Sequence, residues 1–351
     1  MPPPAYLKQP SLRFSWRDPA LNLGELIFET VHAALVDSGT DIAEVDSVVL
    51  AAHDMVDGRS LTSMIHAPTA GAYLKEEIRV SEDGAAALAI ALAQIQAGEA
   101  RTCLVAGWGR ASEGQPERIS NSLFDPFFSA PLGMTELAVS GLRASAALAA
   151  HPDYGHRRTD ARRRRREQAG RRRAAELPPP GPVPAPLRPD EAATPADVVC
   201  AMVLTTETTD VRVPAIVTST DPYWPGDRDL LGLPALRRAS RDALELAGRS
   251  VDDVTVFELD GATLFDEALA VEAVGAAAPG DGMGSLADDD RINASGGYAL
   301  GACAPAMGLV RIAAAADALR GAGSPGGGVA LASGSSCVAG QVQIAAVLEH
   351  A

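Results

Sequence analysis

Apolar positions recur at helical spacing from Asn22 to Ser38 and stop at Gly39, and the Val-Val-Leu run in the following DIAEVDSVVLAA reads as a buried strand. The loop HDMVDGRS then leads to a helix expected from Thr62 to Leu74 and a short Ile-Arg-Val strand. Ser81-Glu82-Asp83-Gly84 opens the next helix, Ala85 to Ala97, which Gly98 closes before a strand from Thr102 to Ala106. Pro2 to Pro19 has no clear period and is expected to be an arm or an edge element. Helices that alternate with buried strands place the chain in the α/β class.

The pattern then repeats. HAALVDSGTDIAEVDSVVLAAHD aligns without a gap on RDALELAGRSVDDVTVFELDGAT, and ALAIALAQIQAGEARTCLVAGWG resembles VRIAAAADALRGAGSPGGGVALASG, with Gly98 opposite Gly321. Two matches in the same order predict a duplicated α/β unit. If the halves pack about a pseudo-twofold axis, the starts of the helix at 85–97 and of the helix after Pro305 face one central site, with Ser81 close to the 295–308 loop.

Between the halves, 112–195 reads as an insertion. It holds SNSLFDPFFSAPLGMTE, a helix from about Leu137 to Ala150, ten arginines between Arg157 and Arg173, and the run LPPPGPVPAPLRP. The arginines suit a phosphorylated ligand such as the nucleotide end of coenzyme A, or an acidic carrier protein; a solvated helix or mobile basic loop is the alternative. The proline run reads as a linker, and ADVVCAMVLTTE as a buried strand returning to the first half. The expected division is 1–111 completed by the strand 196–208, the insertion 112–195, and 209–351.

Composition narrows the function. A chain of 351 residues, 47% hydrophobic and 4% aromatic, can bury a large core. No apolar run is long enough to span a bilayer and the Met-Pro-Pro-Pro start lacks the features of a signal peptide, so the expectation is a cytoplasmic protein without a membrane partner. A net charge of -15 argues against nucleic acid, and four cysteines without CxxC spacing argue against a disulfide framework or a metal site.

The stretch Arg291 to Gly308, RINASGGYALGACAPAMG, carries the candidate chemistry. Asn293, Gly296, Gly297 and Gly301, placed ahead of a helix, let backbone amides approach a thioester or its oxyanion, with Cys303 in the same loop.

These segments resemble the thiolase superfamily, and within it the sterol-carrier-protein thiolases and lipid-transfer proteins, an acetyl-CoA acetyltransferase-like group, over nearly the whole chain. NASGGYALGACAPAMG is similar to the family's Asn-x-x-Gly-Gly loop leading to Gly-His-Pro. SEDGAAALAIALAQIQAGEARTCLVAGWGRAS resembles the segment that begins with the nucleophilic Cys, VFELDGATLFDEALAVEAVG the Glu-Leu-His-Asp-x-Phe segment, and CVAGQVQIAAVLE the terminal Cys-x-Gly-Gly-Gly segment. The resemblance implies a duplicated five-layer α-β-α-β-α fold with a loop domain inserted in the N-terminal half. It also implies a homodimer joined through the strand before Ser81, and a thioester of coenzyme A or of a carrier protein as substrate moiety, with no separate cofactor. A place in lipid or polyketide metabolism follows.

The departures bear on mechanism. Ser81 stands where the family has its acylated Cys, and a hydroxyl without a general base is a poor nucleophile. Ala302 stands where the family has its Gly-His-Pro histidine, and Asp260 where it has the other. None of the six histidines lies in either C-terminal motif. Cys337 matches a family Cys that exchanges a proton with the substrate's α-carbon. Asp260 is either an acid/base group or a helix cap. Tyr298, straight after Gly296-Gly297, is either an acid/base phenol on an enolate or a packing residue. Some thiolase-like proteins without the nucleophile are aldolases with tyrosine acid/base groups and a small OB-fold partner.

Three readings follow. One is a C–C bond lyase or ligase that uses Tyr298, Cys337 and Asp260 on an enolate. The second is an acyltransferase that uses Ser81 or Cys303. The third is a non-catalytic subunit of a complex.

Overall fold

The computed structural model describes residues 2–18, 20–58, 61–172, 181–321 and 328–351. Arg173, residues 177–180 of the proline-rich run and residues 322–327 lie outside them. The strands are β1 (Tyr6–Leu7), β2 (Ser11–Ser15), β3 (Ser47–Ala51), β4 (Glu76–Val80), β5 (Thr102–Arg110), β6 (Asp197–Thr205), β7 (Val211–Thr220), β8 (Val256–Glu258), β9 (Val329–Ser336) and β10 (Val342–His350). The helices are α1 (Leu23–Asp37), α2 (Asp54–Asp57), α3 (Thr62–His66), α4 (Gly84–Ala97), α5 (Pro116–Leu123), α6 (Glu136–Ala150), α7 (Asp153–Arg172), α8 (Pro234–Leu246), α9 (Leu264–Ala273), α10 (Gly282–Asp288) and α11 (Met307–Gly321).

The duplication is visible strand by strand. In the first half, β4 and β3 pair in parallel, β3 pairs in parallel with β5, and β5 runs antiparallel to β6, which runs antiparallel to β2. In the second, β8 pairs in parallel with β9, which runs antiparallel to β10, which runs antiparallel to β7. An isolated parallel bridge between Phe257 and Ile292 stands where β4 stands in the first half. Ser81 and Asn293 therefore each follow the strand position at the outer end of their own half.

Burial sets the layers. Val49, Ala51 and Val105 of one half and Ala332, Ile344 and Ala346 of the other enclose α4 and α11 between them. Helix α1 covers the opposite face of the first half through Ile27, Val31 and Ala34 against Leu50, Leu104 and Val203. Helices α8 and α9 cover the second half against Leu331 and Val347. These are five alternating layers, as expected. The middle helices are uniformly apolar because they are covered on both sides, whereas α1 has a polar face.

The N-terminal segment is an edge element in part: β2 pairs only with β6, whereas Tyr6 pairs with Thr205 of β6 and with Arg212 of β7, so β1 joins the two halves into one continuous ten-stranded sheet. The helix expected from Thr62 to Leu74 ends at His66, and turns follow. Gly71 at φ 85° and Leu74 at φ 59° lie outside helical backbone, which the apolar spacing alone did not reveal.

Helix α7 buries one face of the arginine run and leaves Arg163, Arg166 and Arg171 on an exposed face. Arg165 is fully buried and donates to the carbonyls of Leu286, Ile292 and Asn293. Arg158 pairs with Glu191 inside the insertion, Arg164 donates to the Ala287 carbonyl and pairs with Asp290, and Arg162 pairs with Asp190. Arg164 and Arg165 thus clamp the inserted segment onto the second half through the protein's own carbonyls and a carboxylate.

Candidate active site

The carboxyl end of β4, the start of α4 and the start of α11 meet where the halves face each other. Asp83 caps α4 with its side chain accepting from the Ala85 amide at 2.9 Å. Its other oxygen accepts from the Gly308 amide at 2.9 Å, across the pseudo-twofold axis. Gly308 and Gly334 make room for this carboxyl, since a Cβ at either position would overlap Asp83 Oδ1. Burial, reinforced by the nearby Asp260 charge, pushes Asp83 up to about 8, while its amide partners work the other way.

Asp260, half-buried beyond β8, accepts from the Ser335 hydroxyl at 2.6 Å, and its own amide donates to Ser333 Oγ at 2.9 Å. Burial raises its pKa, with Arg311 and the Ser335 bond opposing. It is thus held by β9 and is not the cap of α9; Thr263 is that cap, accepting from the Asp266 amide. Ser81 is exposed at the end of β4, and its hydroxyl accepts from Arg79 Nη2 at 3.2 Å. Arg79 in turn pairs with Asp54 at 2.9 Å.

Cys337 is the exposed member of the four free cysteines and has φ 59°, a left-handed conformation that is strained for a residue with a Cβ. Partial burial, followed by the Glu82 charge, raises its thiol pKa, so the group is protonated at neutral pH. Its turn, residues 337–340, is braced by three side chains. Arg228 donates to the carbonyls of Val338 and Ala339, Arg143 donates to the Ala339 carbonyl, and Glu136 accepts from the Ala339 amide.

Three residues singled out in the sequence lie elsewhere. Tyr298 is 1% exposed and donates its phenol to the Asp190 carbonyl at 3.1 Å, with Glu267, Glu191, Asp190 and Arg162 as its charged neighbours. It packs between the insertion and the second half, the second of the two roles its position allowed. Cys303 is buried in the central core against Gly109, and burial raises its thiol pKa well above the ordinary value. Asn293 is fully buried at φ 44° and pairs with Leu259 through both ends of its amide, accepting from the Leu259 N–H at 2.6 Å and donating to its carbonyl at 3.0 Å. It positions the residue next to Asp260 instead of presenting a donor to a ligand.

The glycine pair is approached by the protein's own groups. A Cβ on Gly296 would overlap Ala169 of α7, and one on Gly297 would overlap the Glu267 carboxylate, which also accepts from the Tyr298 amide. The close approach that these glycines permit is that of the protein's own helix and side chain. Gly301, at φ 102°, ends the short turn between them and the Cys303 segment.

Sequence reasoning missed Glu136, Arg143, Arg228 and Ser335. The signal for Glu136 was present in GMTELAV, where Thr135 caps α6 and accepts from the Ala138 amide. No spacing linked that helix start to Cys337, about two hundred residues away. Among the described residues no group of His, Cys, Asp and Glu side chains could hold a metal ion, and no helix is long and apolar enough to cross a membrane.

Two similar halves, with helix starts converging between them and a loop insertion after β5, define the thiolase type of α/β fold. No family model matches the chain, and no curated protein matches it. Among solved structures 686 chains match, so this architecture is widely shared. One is the crystal structure of human mitochondrial 3-ketoacyl-CoA thiolase, with a TM-score of 0.75 at 16% sequence identity, covering 99% of this chain and 98% of that one. At that identity the likeness establishes the fold over nearly the full length.

Proposed function

We propose that the chain acts on an acyl thioester, carried by coenzyme A or by a carrier protein, and makes or breaks a C–C bond through an enolate without a cysteine acyl-enzyme. The observation that carries this reading is the convergence of Asp83, Asp260 and the Cys337 turn at the junction of the halves, with Ser81 two residues before Asp83. Asp83, largely neutral near pH 7, and the Cys337 thiol are proton donors there, and Asp260 is held by two serine hydroxyls. Such groups suit proton transfer at carbon or oxygen; none supplies the thiolate that acyl-enzyme chemistry uses. The sterol-carrier-protein-like subgroup, with its nucleophile and histidines replaced, fits the same reading.

The test has two parts. Intact mass after incubation with labelled acyl-CoA should show no adduct on Ser81, and α-deuteration of acyl-CoA in heavy water should be catalysed. A stable acyl-Ser81 species would instead make the protein an acyltransferase.

One observation favours a second reading, a non-catalytic subunit. The glycine loop is filled by Ala169 and Glu267, leaving its amides turned to the protein. Purification of the native complex with a small OB-fold or carrier protein, and loss of activity from that partner when this chain is removed, would support it. In either case we expect a homodimer through β4, which ends the sheet beside exposed Met64, Ile65, Tyr73 and Leu74. Sedimentation analysis tests this.

A further inference from the structure

The inserted segment brings one carboxyl to the candidate site that no motif assigned. Glu136 is the first residue of α6, half-buried, and its Oε1 accepts the Ala339 amide at 2.6 Å. That amide belongs to the turn in which Cys337, Ala339 and Gly340 all have positive φ. Successive left-handed residues form a concave backbone of the kind that holds anionic oxygens. In this protein the oxygen held is that of Glu136, and the turn is fixed around it by Arg228, which donates to the Val338 and Ala339 carbonyls, and by Arg143, which donates to the Ala339 carbonyl.

We propose that Glu136 is an acid–base residue of this site. Its carboxylate takes the proton from the α-carbon of the bound thioester: the C–H bond breaks, an O–H bond forms, and the electron pair passes to the thioester oxygen as the enolate. The carboxylic acid then returns the proton to carbon. The assignment rests on the enolate reading above and supplies the proton acceptor that the missing histidines leave unfilled.

The surroundings tune it for this task. Burial pushes Glu136 up to about 7, opposed by the Ala339 amide and Arg143, raised further by Asp266 of α9, and opposed again by Arg228 from the loop before α8. Cys337, whose own thiol feels the Glu136 charge, faces it from the turn. A carboxyl that exchanges protons near neutrality is more effective than one at its ordinary value.

The test uses the full-length protein and acetyl-, octanoyl- and phenylacetyl-CoA in heavy water, with α-deuteration read by mass spectrometry. Glu136→Gln keeps an acceptor for the Ala339 amide, so the turn keeps its bond. It is expected to lose exchange by at least about 100-fold with thioester binding unchanged, and to lose the limb of the pH profile near 7. Glu136→Asp should recover part of the rate. Exchange by Glu136→Gln at the wild-type rate, or loss of thioester binding in parallel with rate, would overturn the assignment while leaving the enolate reading intact. A wild type that exchanges none of these thioesters overturns the enolate reading itself, and the assignment with it.

Discussion

Replacing Asp83 by asparagine should change how the stability of the whole molecule depends on pH. In the folded chain burial and Asp260 hold this carboxyl protonated up to about 8, whereas in the unfolded chain it ionises at its ordinary 3.8. Below 3.8 both states carry the proton and its contribution is complete. Between those two values the folded state binds one proton more, so stability falls as pH rises, and above about 8 the loss is complete. The slope for one proton is ~1.4 kcal/mol per pH unit, and over this window the total is about 6 kcal/mol as an order of magnitude.

The amide of the Asp83→Asn variant cannot ionise, so that slope should be absent from it. At acid pH the variant should be less stable by about 1–3 kcal/mol, because one end of the amide must meet the Ala85 or Gly308 N–H as donor against donor. The assay is urea unfolding at pH 5.5, 6.5 and 7.5 with m checked for constancy. The wild type minus Asp83→Asn difference isolates this residue from Glu136 and Glu267, both pushed up to about 7 by burial, and Asp57, pushed up to about 6 by burial. Parallel pH profiles for the two proteins would refute the claim that Asp83 is buried and neutral across the axis.

Tyr298→Phe should keep its thioester exchange rate and lose only about 1 kcal/mol, the worth of one hydrogen bond to a carbonyl; a large fall in turnover would return the phenol to the chemistry. Arg165→Leu should be destabilised by about 3–5 kcal/mol in urea unfolding, because three buried carbonyls lose a charged donor. Maleimide labelling of the native protein should modify Cys337 and spare Cys103, Cys200 and Cys303, all three of which become reactive in urea. Native labelling of Cys303 would contradict its burial.

The fold was legible because its evidence is periodic. The alignment of 32–54 on 241–263 rests on apolar spacing, and the structure repeats α1–β3 as α8–β8 for that reason. The site was legible to the extent that its residues sit at helix starts and strand ends, as Ser81, Asp260 and Cys337 do. What the sequence did not reveal was orientation. Glycines at 296 and 297 signal a close approach, but nothing in their spacing says that Ala169 and Glu267 make it. Tyr298 follows those glycines in sequence, yet the left-handed turn at Gly297 directs its side chain toward Asp190. Arginines in a row look solvated on charge alone, while one residue in that row, Arg165, faces inward at the helical period and finds three carbonyls.

The two-residue strand β1 has a consequence for how the chain acquires its shape. Tyr6 finds its partners only at Thr205 and Arg212, so the seam cannot form until those much later residues exist. Both flanking strands wait with unpaired edges until then, and closing so long a loop is slow. This segment, made before both of its partners, is therefore the last keystone, and deleting residues 2–10 should leave two layered halves that assemble sluggishly and associate through their bare edges.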